Sequence, residues 1–480
     1  MQDVIVIGGG ISGLVCAYHL KLMRRNVLLI DSAPRVGGSI RTDLVDGFLF
    51  ERGPDSFHLN KATEDLIRYL RLEDDLLPAD SPAPVFVFRH QKLRLFPNNL
   101  WSLLTSGLLS APGKLRAILG AFVRKSPASE LTTISEFMIR QYGQELHDAM
   151  IAPLVAAKYA GSPTALSAIA AAPFDKLVEQ ATDSGASFLD LLGVAKLLSD
   201  SLVPASLSGR RLCAFVGGLE TLTQSLQAKL ENETLLGCAV RKIECTETGK
   251  RRQYAVHAEF LGETQPFRAS ALVIATPARN ATDLLQSLAP RLAHVLQEIP
   301  YSPMASVSLA CHASQLPKEL LPLRGYGFLT SRSKEVRTLA CLWNSALFPG
   351  RAPANYHTLT ALVGGVEDSA IMLAPDEEII DIVQSDLKKA MKMKGDAKVL
   401  GVTRRELSIP QYAVGHTARI HEMNALVQAM PGLYVTGNYL SGVGVEDCIE
   451  RSTSLAETIE DYLAHTVPPI PSYFENSRMQ

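Results

Sequence analysis

The sequence predicts an α/β protein that opens on a parallel sheet, and three observations near its N-terminus predict it. Val4-Ile5-Val6-Ile7 is an unbroken apolar, β-branched run, the composition of a strand buried on both faces. Gly8-Gly9-Gly10-Ile11-Ser12-Gly13 follows at once, and a helical pattern carries Leu14, Ala17, Tyr18 and Leu20 toward a second such run, Val27-Leu28-Leu29-Ile30. Asp31 closes that run.

Each part has a mechanical role. Gly8 permits a tight turn, Gly10 lets a pyrophosphate approach the backbone, and Gly13 lets helix and strand pack closely. The helix N-terminus offers unpaired N–H groups and a positive dipole end to phosphates, and Asp31 is placed to accept hydrogen bonds from a ribose. A lone glycine fingerprint is weak, but strand, glycines, helix, strand and acid in this order mark a dinucleotide site. Gly8, Gly9, Gly10, Ile11, Ser12, Gly13, Asp31 and Ser32 are its candidate contacts. FAD and NAD both use such a unit. The stretch that follows holds two arginines, Arg35 and Arg41, around Gly37-Gly38, and ends at Thr42. It resembles the R-x-G-G-x-x-x-T segment of the FAD-dependent amine oxidase superfamily, in which arginine supplies fixed donors to phosphate oxygens. Glu51-Arg52-Gly53-Pro54-Asp55-Ser56 is similar to that superfamily's next flavin-contacting loop. Arg35, Gly38, Ser39, Gly53, Pro54, Asp55 and Ser56 therefore join the candidate FAD contacts.

A chain of 480 residues predicts two or three structural units, and 47% hydrophobic against 20% charged residues predicts a globular one. A net charge of -2 leaves no global basic field for nucleic acid, and short runs such as Arg332 to Lys334 read as solvated surface. The seven cysteines form no C-x-x-C pair, so neither a zinc site nor a disulfide framework is expected. With no signal-peptide pattern, a reduced cytosol is the expected compartment. The uncharged stretches 95–113 and 425–445 are broken by prolines and glycines, so no spanning helix is expected.

Thr133 and Glu136 form a capping-box pattern before a helix with Ile134, Phe137, Met138 and Tyr142, ended by Gly143; residues 145–159 read as another helix. Residues 97–205 are helical in pattern and leucine-rich. Residues 100–109 are apolar on more than one face, with Lys114, Arg116, Arg124 and Lys125 just beyond. Two readings stand together: helices covering a substrate cavity, and an interfacial surface contacting a bilayer through Trp101, Leu104 and Leu108. Residues 236–245 and 254–260 read as strands joined by a polar loop, residues 246–252. Residues 271–275 form another buried strand, stopped by Pro277. From residue 305 to about 415 strands alternate with loops, followed by a helix over 376–391. His147 and His416 have no nucleophile at recognisable spacing and read as structural; no catalytic triad or P-loop is visible.

Gly432-Leu433-Tyr434-Val435-Thr436-Gly437 reads as a strand ending in glycine, then a glycine-rich loop into a helix with Leu455, Ile459 and Tyr462. Such a helix N-terminus stabilises negative charge on a reduced flavin ring. Ile409-Pro410-Gln411-Tyr412, Gly415-His416 and residues 431–450 resemble the C-terminal signature of the oxygen-dependent protoporphyrinogen oxidase family. With residues 215–219, 325–329 and 348–353, the likeness covers nearly the whole chain. It implies that Val443, Gly444 and Val445 contact the flavin through their backbone, that Val240 contacts the adenine part of FAD, and that Leu329, Leu342 and Leu362 stand on the pocket walls.

The expected architecture is a two-dinucleotide-binding-type FAD domain (residues 1–80, 206–300 and 416–465), an interleaved α+β substrate domain (81–96 and 301–415), a helical insert (97–205) and a tail (466–480). The resemblance implies removal of six electrons from a porphyrinogen in three rounds, with hydride passing to the flavin and molecular oxygen reoxidising it. It also implies a cytoplasmic protein on a membrane surface, with a homodimer and a downstream chelatase as partners. A flavin amine oxidase, a carotene desaturase and a non-catalytic flavin or porphyrin carrier are the rival functions. Members of the family carry a propionate-anchoring arginine in a segment that corresponds to residues 83–89, which puts Val85 at its position. Less fixed positive charge favours the substrate with fewer carboxylates, so protoporphyrinogen is expected over coproporphyrinogen.

Overall fold

The computed structural model describes residues 1–79, 83–122, 128–171, 174, 211–248, 251–330 and 336–466. Arg124 and Lys125, the run from Arg332 to Lys334, most of the insert beyond residue 171 and the tail beyond residue 466 lie outside them.

The first sheet draws on three separated stretches of chain. Its strands run in the order Thr234–Leu235, Val27–Ile30, Gln2–Ile7, Glu263–Ile274, Arg251–Phe260, Ala239–Thr248, and Leu433–Val435 pairs with Glu263–Ile274. Pairing is parallel around Gln2–Ile7 and antiparallel in the meander that ends at Ala239–Thr248. Burial follows the strand period of two. Val4 and Val6 pack with the helices Ile11–Leu22 and Val445–Thr466, while Ile5 and Ile7 pack with Ala278–Leu285 and Pro290–Gln297. That two-sided burial is what the unbroken apolar run demands. One boundary differs from expectation. Strand pairing extends into the polar stretch from both sides, with Thr246 opposite Gln253 and Glu247 opposite Arg252. Glu247 and Arg252 pair at 2.6 Å there, so the polarity of these residues marks solvated strand ends.

The second sheet has the order Lys398–Pro410, Tyr301–His312, Tyr356–Gly364, Ala340–Leu342, Gly327–Thr330, Val85–Arg89, Lys92–Leu95. All neighbours are antiparallel except Gly327–Thr330 with Val85–Arg89, which run parallel. The helix Asp376–Met391 covers one face, burying Ile379, Val383 and Leu387 against Val307, Leu309 and Val363. Part of the other face lies under the helices Ile134–Tyr142 and Ala152–Tyr159.

Thr133 and Glu136 cap Ile134–Tyr142 reciprocally, at 3.1 and 3.0 Å. A π-helical turn over His147–Ile151 interrupts the helix that continues to Tyr159, and buried His147 bonds Ser135 at 2.8 Å. Before these, Leu100–Thr105 and Ala111–Phe122 are helical. Trp101 is 75% exposed and Leu104 37%, but Leu108 is only 1% exposed and packs with Leu103 and Leu109. The helical period that put Trp101, Leu104 and Leu108 on one face stops at Ser106, which is extended. Leu115 and Leu119, each more than half exposed, stand on the following helix instead. Among the described residues no helix is long and apolar enough to cross a membrane.

Candidate active site between the two sheets

A cavity of about 830 Å³ runs from the edge of the first sheet onto the second. At one end it is lined by Asp31, Ser32, Val240, Asn280 and Asp283. Its middle is walled by Gly8, Gly10, Ile11, Ser12, Gly38, Ser39, Gly53, Pro54 and Asp55 on one side and by Val443, Gly444 and Val445 on another. Met304, Ser306, Leu362, Thr403, Arg405 and Leu407, all from the second sheet, form its floor.

The glycines divide into two kinds. Gly10 caps the helix Ile11–Leu22, and a Cβ added to it would meet nothing within 4 Å. A Cβ on Gly13 would fall 1.9 Å from the Gly8 carbonyl oxygen, so Gly13 serves packing and does not line the cavity. Gly9 is also off the wall, because its N–H donates to Asp31 Oδ2 at 2.5 Å. Asp31 Oδ1 accepts from the Ala33 N–H at 2.7 Å, which fixes the carboxylate at the cavity's end. This combination fits FAD: an open backbone cradle at a helix N-terminus, an oriented acid beyond it, and further room toward a second sheet.

Several expected contacts lie elsewhere. Arg35 donates to the carbonyls of Val36, Gly38 and Ile40 at 2.9–3.0 Å, so it braces the glycine turn and does not face the cavity. Ser56 stands one residue past the wall that Asp55 ends. Val85, Leu329, Leu342 and Leu362 share one face of the second sheet, since Val85 opposes Gly327, Gly327 opposes Leu342, and Leu329 opposes Ala340, which opposes Leu362. Leu362 alone of the four lines the cavity. Val85 and Leu329 are buried in one cluster with Met150, Ile151 and Leu154, on the turn and helix that pack against their strands, and Leu342 is buried. The resemblance named the four residues; the sheet register puts them on one face, and the helices decide which part of it is covered.

Asp55 is the acid at the heart of the cavity. Asn344 Nδ2 donates to its Oδ1 at 2.5 Å, and Asn344 Oδ1 accepts from Thr360 Oγ1 at 2.9 Å. Burial, then the nearby Glu51 carboxylate, pushes the Asp55 carboxyl up to about 7. Glu51 is itself fully buried and paired with Arg351 at 2.9 Å, and it accepts from Thr42 Oγ1 at 2.7 Å and the Leu219 N–H at 2.9 Å. Glu51 and Arg351 lie in stretches that carry the family likeness and Asn344 does not, but nothing in the sequence shows that the three converge on Asp55, because their partners lie far along the chain. At the C-terminal loop, Asp447 Oδ2 accepts from the Gly444 N–H at 2.9 Å. The chain's own acid thus takes one donor beside that helix N-terminus, which weakens the dipole argument made for it. His416 stacks on Tyr412 with ring centroids 4.5 Å apart, away from the cavity wall.

The fold and this cavity define an FAD-dependent oxidoreductase. The family model for flavin containing amine oxidoreductases matches residues 11–459. Protoporphyrinogen oxidase 1 of Spinacia oleracea is 31% identical over 96% of this chain and 84% of its own. The coproporphyrinogen III oxidase of Bacillus subtilis is 30% identical over 96% and 98%. Among solved structures, a protein of Exiguobacterium sp. superposes with a TM-score of 0.77 at 24% identity, covering 96% of this chain and 98% of that one. Reduced UDP-galactopyranose mutase does so at 0.73 and 14%, covering 97% and 96%; both show the fold. The chain belongs to the flavin-containing amine oxidoreductase family and, within it, to the protoporphyrinogen oxidase family.

Proposed function

We propose that the protein oxidises protoporphyrinogen IX to protoporphyrin IX by removing six electrons in three rounds, with molecular oxygen as the final acceptor. The observation that carries this reading is a continuous cavity that joins the dinucleotide cradle to an apolar floor at Met304, Leu362 and Leu407. The N–H groups at Gly10, Ile11 and Ser12 hold the pyrophosphate of FAD, Asp31 its ribose, and Val240 its adenine. Gly38, Ser39, Gly53 and Pro54, with Val443, Gly444 and Val445, enclose the ring. Bound FAD supplies the acceptor for the hydride that leaves a meso carbon. The chain's part is to exclude water, orient the macrocycle, and take the proton that each round also releases. Asp55 Oδ is the proton acceptor, held in place by Asn344. Porphyrin fluorescence appearing from protoporphyrinogen, with oxygen consumed, tests the reading; a purified flavoprotein that oxidises no porphyrinogen refutes it.

Asp31→Ala is expected to weaken FAD roughly 10- to 100-fold, the equivalent of one charge-assisted hydrogen bond. Titration of apoprotein with FAD measures this, and undiminished affinity would remove Asp31 from the site.

Coproporphyrinogen III is the second reading, and one observation favours it. Arg405 lines the cavity floor with no carboxylate partner among the described residues, so fixed positive charge is present there although Val85 is apolar. The argument from Val85 for fewer carboxylates loses its footing, because Val85 is buried under the helical insert. Initial rates on the two porphyrinogens at matched concentrations rank them.

A membrane surface is the proposed location, through exposed Trp101, Leu104, Leu115 and Leu119. Lys114, whose Nζ donates to the Leu104 carbonyl at 2.7 Å, ties the two helices that carry them. Replacing the four by serine is expected to abolish most liposome binding while leaving oxidation in detergent intact. Unchanged sedimentation with liposomes would exclude this patch.

A further inference from the structure

Three arginines line the cavity, and two are neutralised. Arg52 pairs with Asp43 at 2.5 Å and Arg241 with Glu259 at 2.8 Å. Arg405 has no carboxylate partner among the described residues. Its Nη2 donates to the Ser39 carbonyl at 3.0 Å and the Arg52 carbonyl at 3.4 Å, while its buried Nε has no hydrogen-bond partner. Burial and the nearby Arg35 and Arg41 all disfavour its charge. A partly buried guanidinium among like charges is an arrangement that a bound anion completes.

Its position says which anion. On the strand Lys398–Pro410, Thr403, Arg405 and Leu407 alternate onto the cavity floor. Arg404, one residue earlier, points to the opposite face and is spent on Asp376 at 2.5 Å. Arg405 lies opposite Met304, and Thr403 opposite Ser306, which is next to Leu362. The guanidinium therefore rises from the second sheet and stands where the apolar floor meets the Ser39 and Arg52 carbonyls of the loops proposed to enclose the flavin ring, so its open side faces the floor where a substrate would lie against the flavin. We propose that Arg405 holds a carboxylate of the substrate, fixing a propionate-type side chain at the edge of the apolar floor. This rests on the porphyrinogen reading above and names the group that sets how the macrocycle is seated.

The test uses the FAD-loaded full chain and two non-reacting probes, protoporphyrin IX and its dimethyl ester, with binding followed by quenching of porphyrin fluorescence. Arg405→Leu is expected to weaken the diacid roughly 10- to 100-fold, as loss of a charge-assisted hydrogen bond does, and to leave the diester unchanged. Arg405→Gln, which keeps donors and bulk, is expected to fall between. Arg404→Leu serves as the control and should bind both probes as the parent does. FAD content should stay constant throughout. Equal loss for diacid and diester, no loss for either, or loss of FAD from both Arg405 variants would overturn the assignment. The two failures separate cleanly: a parent protein that oxidises no porphyrinogen refutes the reading, while one that does, with unaltered diacid binding in Arg405→Leu, refutes only this inference.

Discussion

Gly10→Leu is expected to give a folded protein that purifies colourless. The argument turns on where a side chain at residue 10 would go. A Cβ there meets nothing within 4 Å, so the substitution costs the fold little, yet the space it enters is the cavity wall at the N-terminus of Ile11–Leu22. That is the space a pyrophosphate needs in order to reach the backbone N–H groups. FAD content should drop from about one per chain to almost none, with far-UV circular dichroism unchanged. Gly13→Leu is the informative contrast. Its Cβ would collide with the Gly8 carbonyl oxygen at 1.9 Å, so it should damage the fold itself and lower the melting temperature. A yellow Gly10→Leu protein with full FAD would show that the cofactor does not pass over this turn.

The contrast between those glycines also shows what a sequence gives away. Gly8 to Gly13, Asp31, and the Thr133–Glu136 cap are legible because their causes lie within a few residues or within one strand–helix–strand unit. Val85, Leu329, Leu342 and Leu362 came to the pocket only through the family resemblance; the register of the second sheet puts them on one face, and their exposure depends on helices that the chain places elsewhere. Leu108 failed for a local reason, an unforeseen helix end at Ser106. Arg35 shows that a donor-rich residue beside a glycine turn serves the turn itself, which the sequence does not distinguish from serving a ligand. Arg405 beside Arg404 looks like a solvated pair; only the register of the second sheet separates the one that meets Asp376 from the one that meets the cavity. Glu51, Arg351, Asn344 and Asp55 assemble across about 300 residues of chain, and no local pattern announces such a cluster.

Asp55→Asn is expected to slow porphyrinogen oxidation by about 10²- to 10⁴-fold, the range general-base removal commonly costs. Each round of oxidation releases a proton as well as a hydride, and Asp55 is the carboxyl at the middle of the cavity, while Asp31 and Asp283 stand at its dinucleotide end. Asparagine keeps the shape and the contact with Asn344 but cannot take the proton. Burial and Glu51 push the Asp55 carboxyl up to about 7, so the group is largely protonated, and idle as a base, below that pH and ionised above it. The rate of anaerobic flavin reduction by porphyrinogen should therefore fall as pH drops through about 7 and level off above it. In Asp55→Asn that inflection should vanish, with FAD content unchanged. Asn344→Ala sharpens the test, because its amide donates to the carboxylate and holds the carboxyl lower than burial alone would. Removing that donor should move the inflection to higher pH, a shift that a merely structural role for Asn344 would not produce. An unaltered inflection in Asp55→Asn would assign the proton to another group.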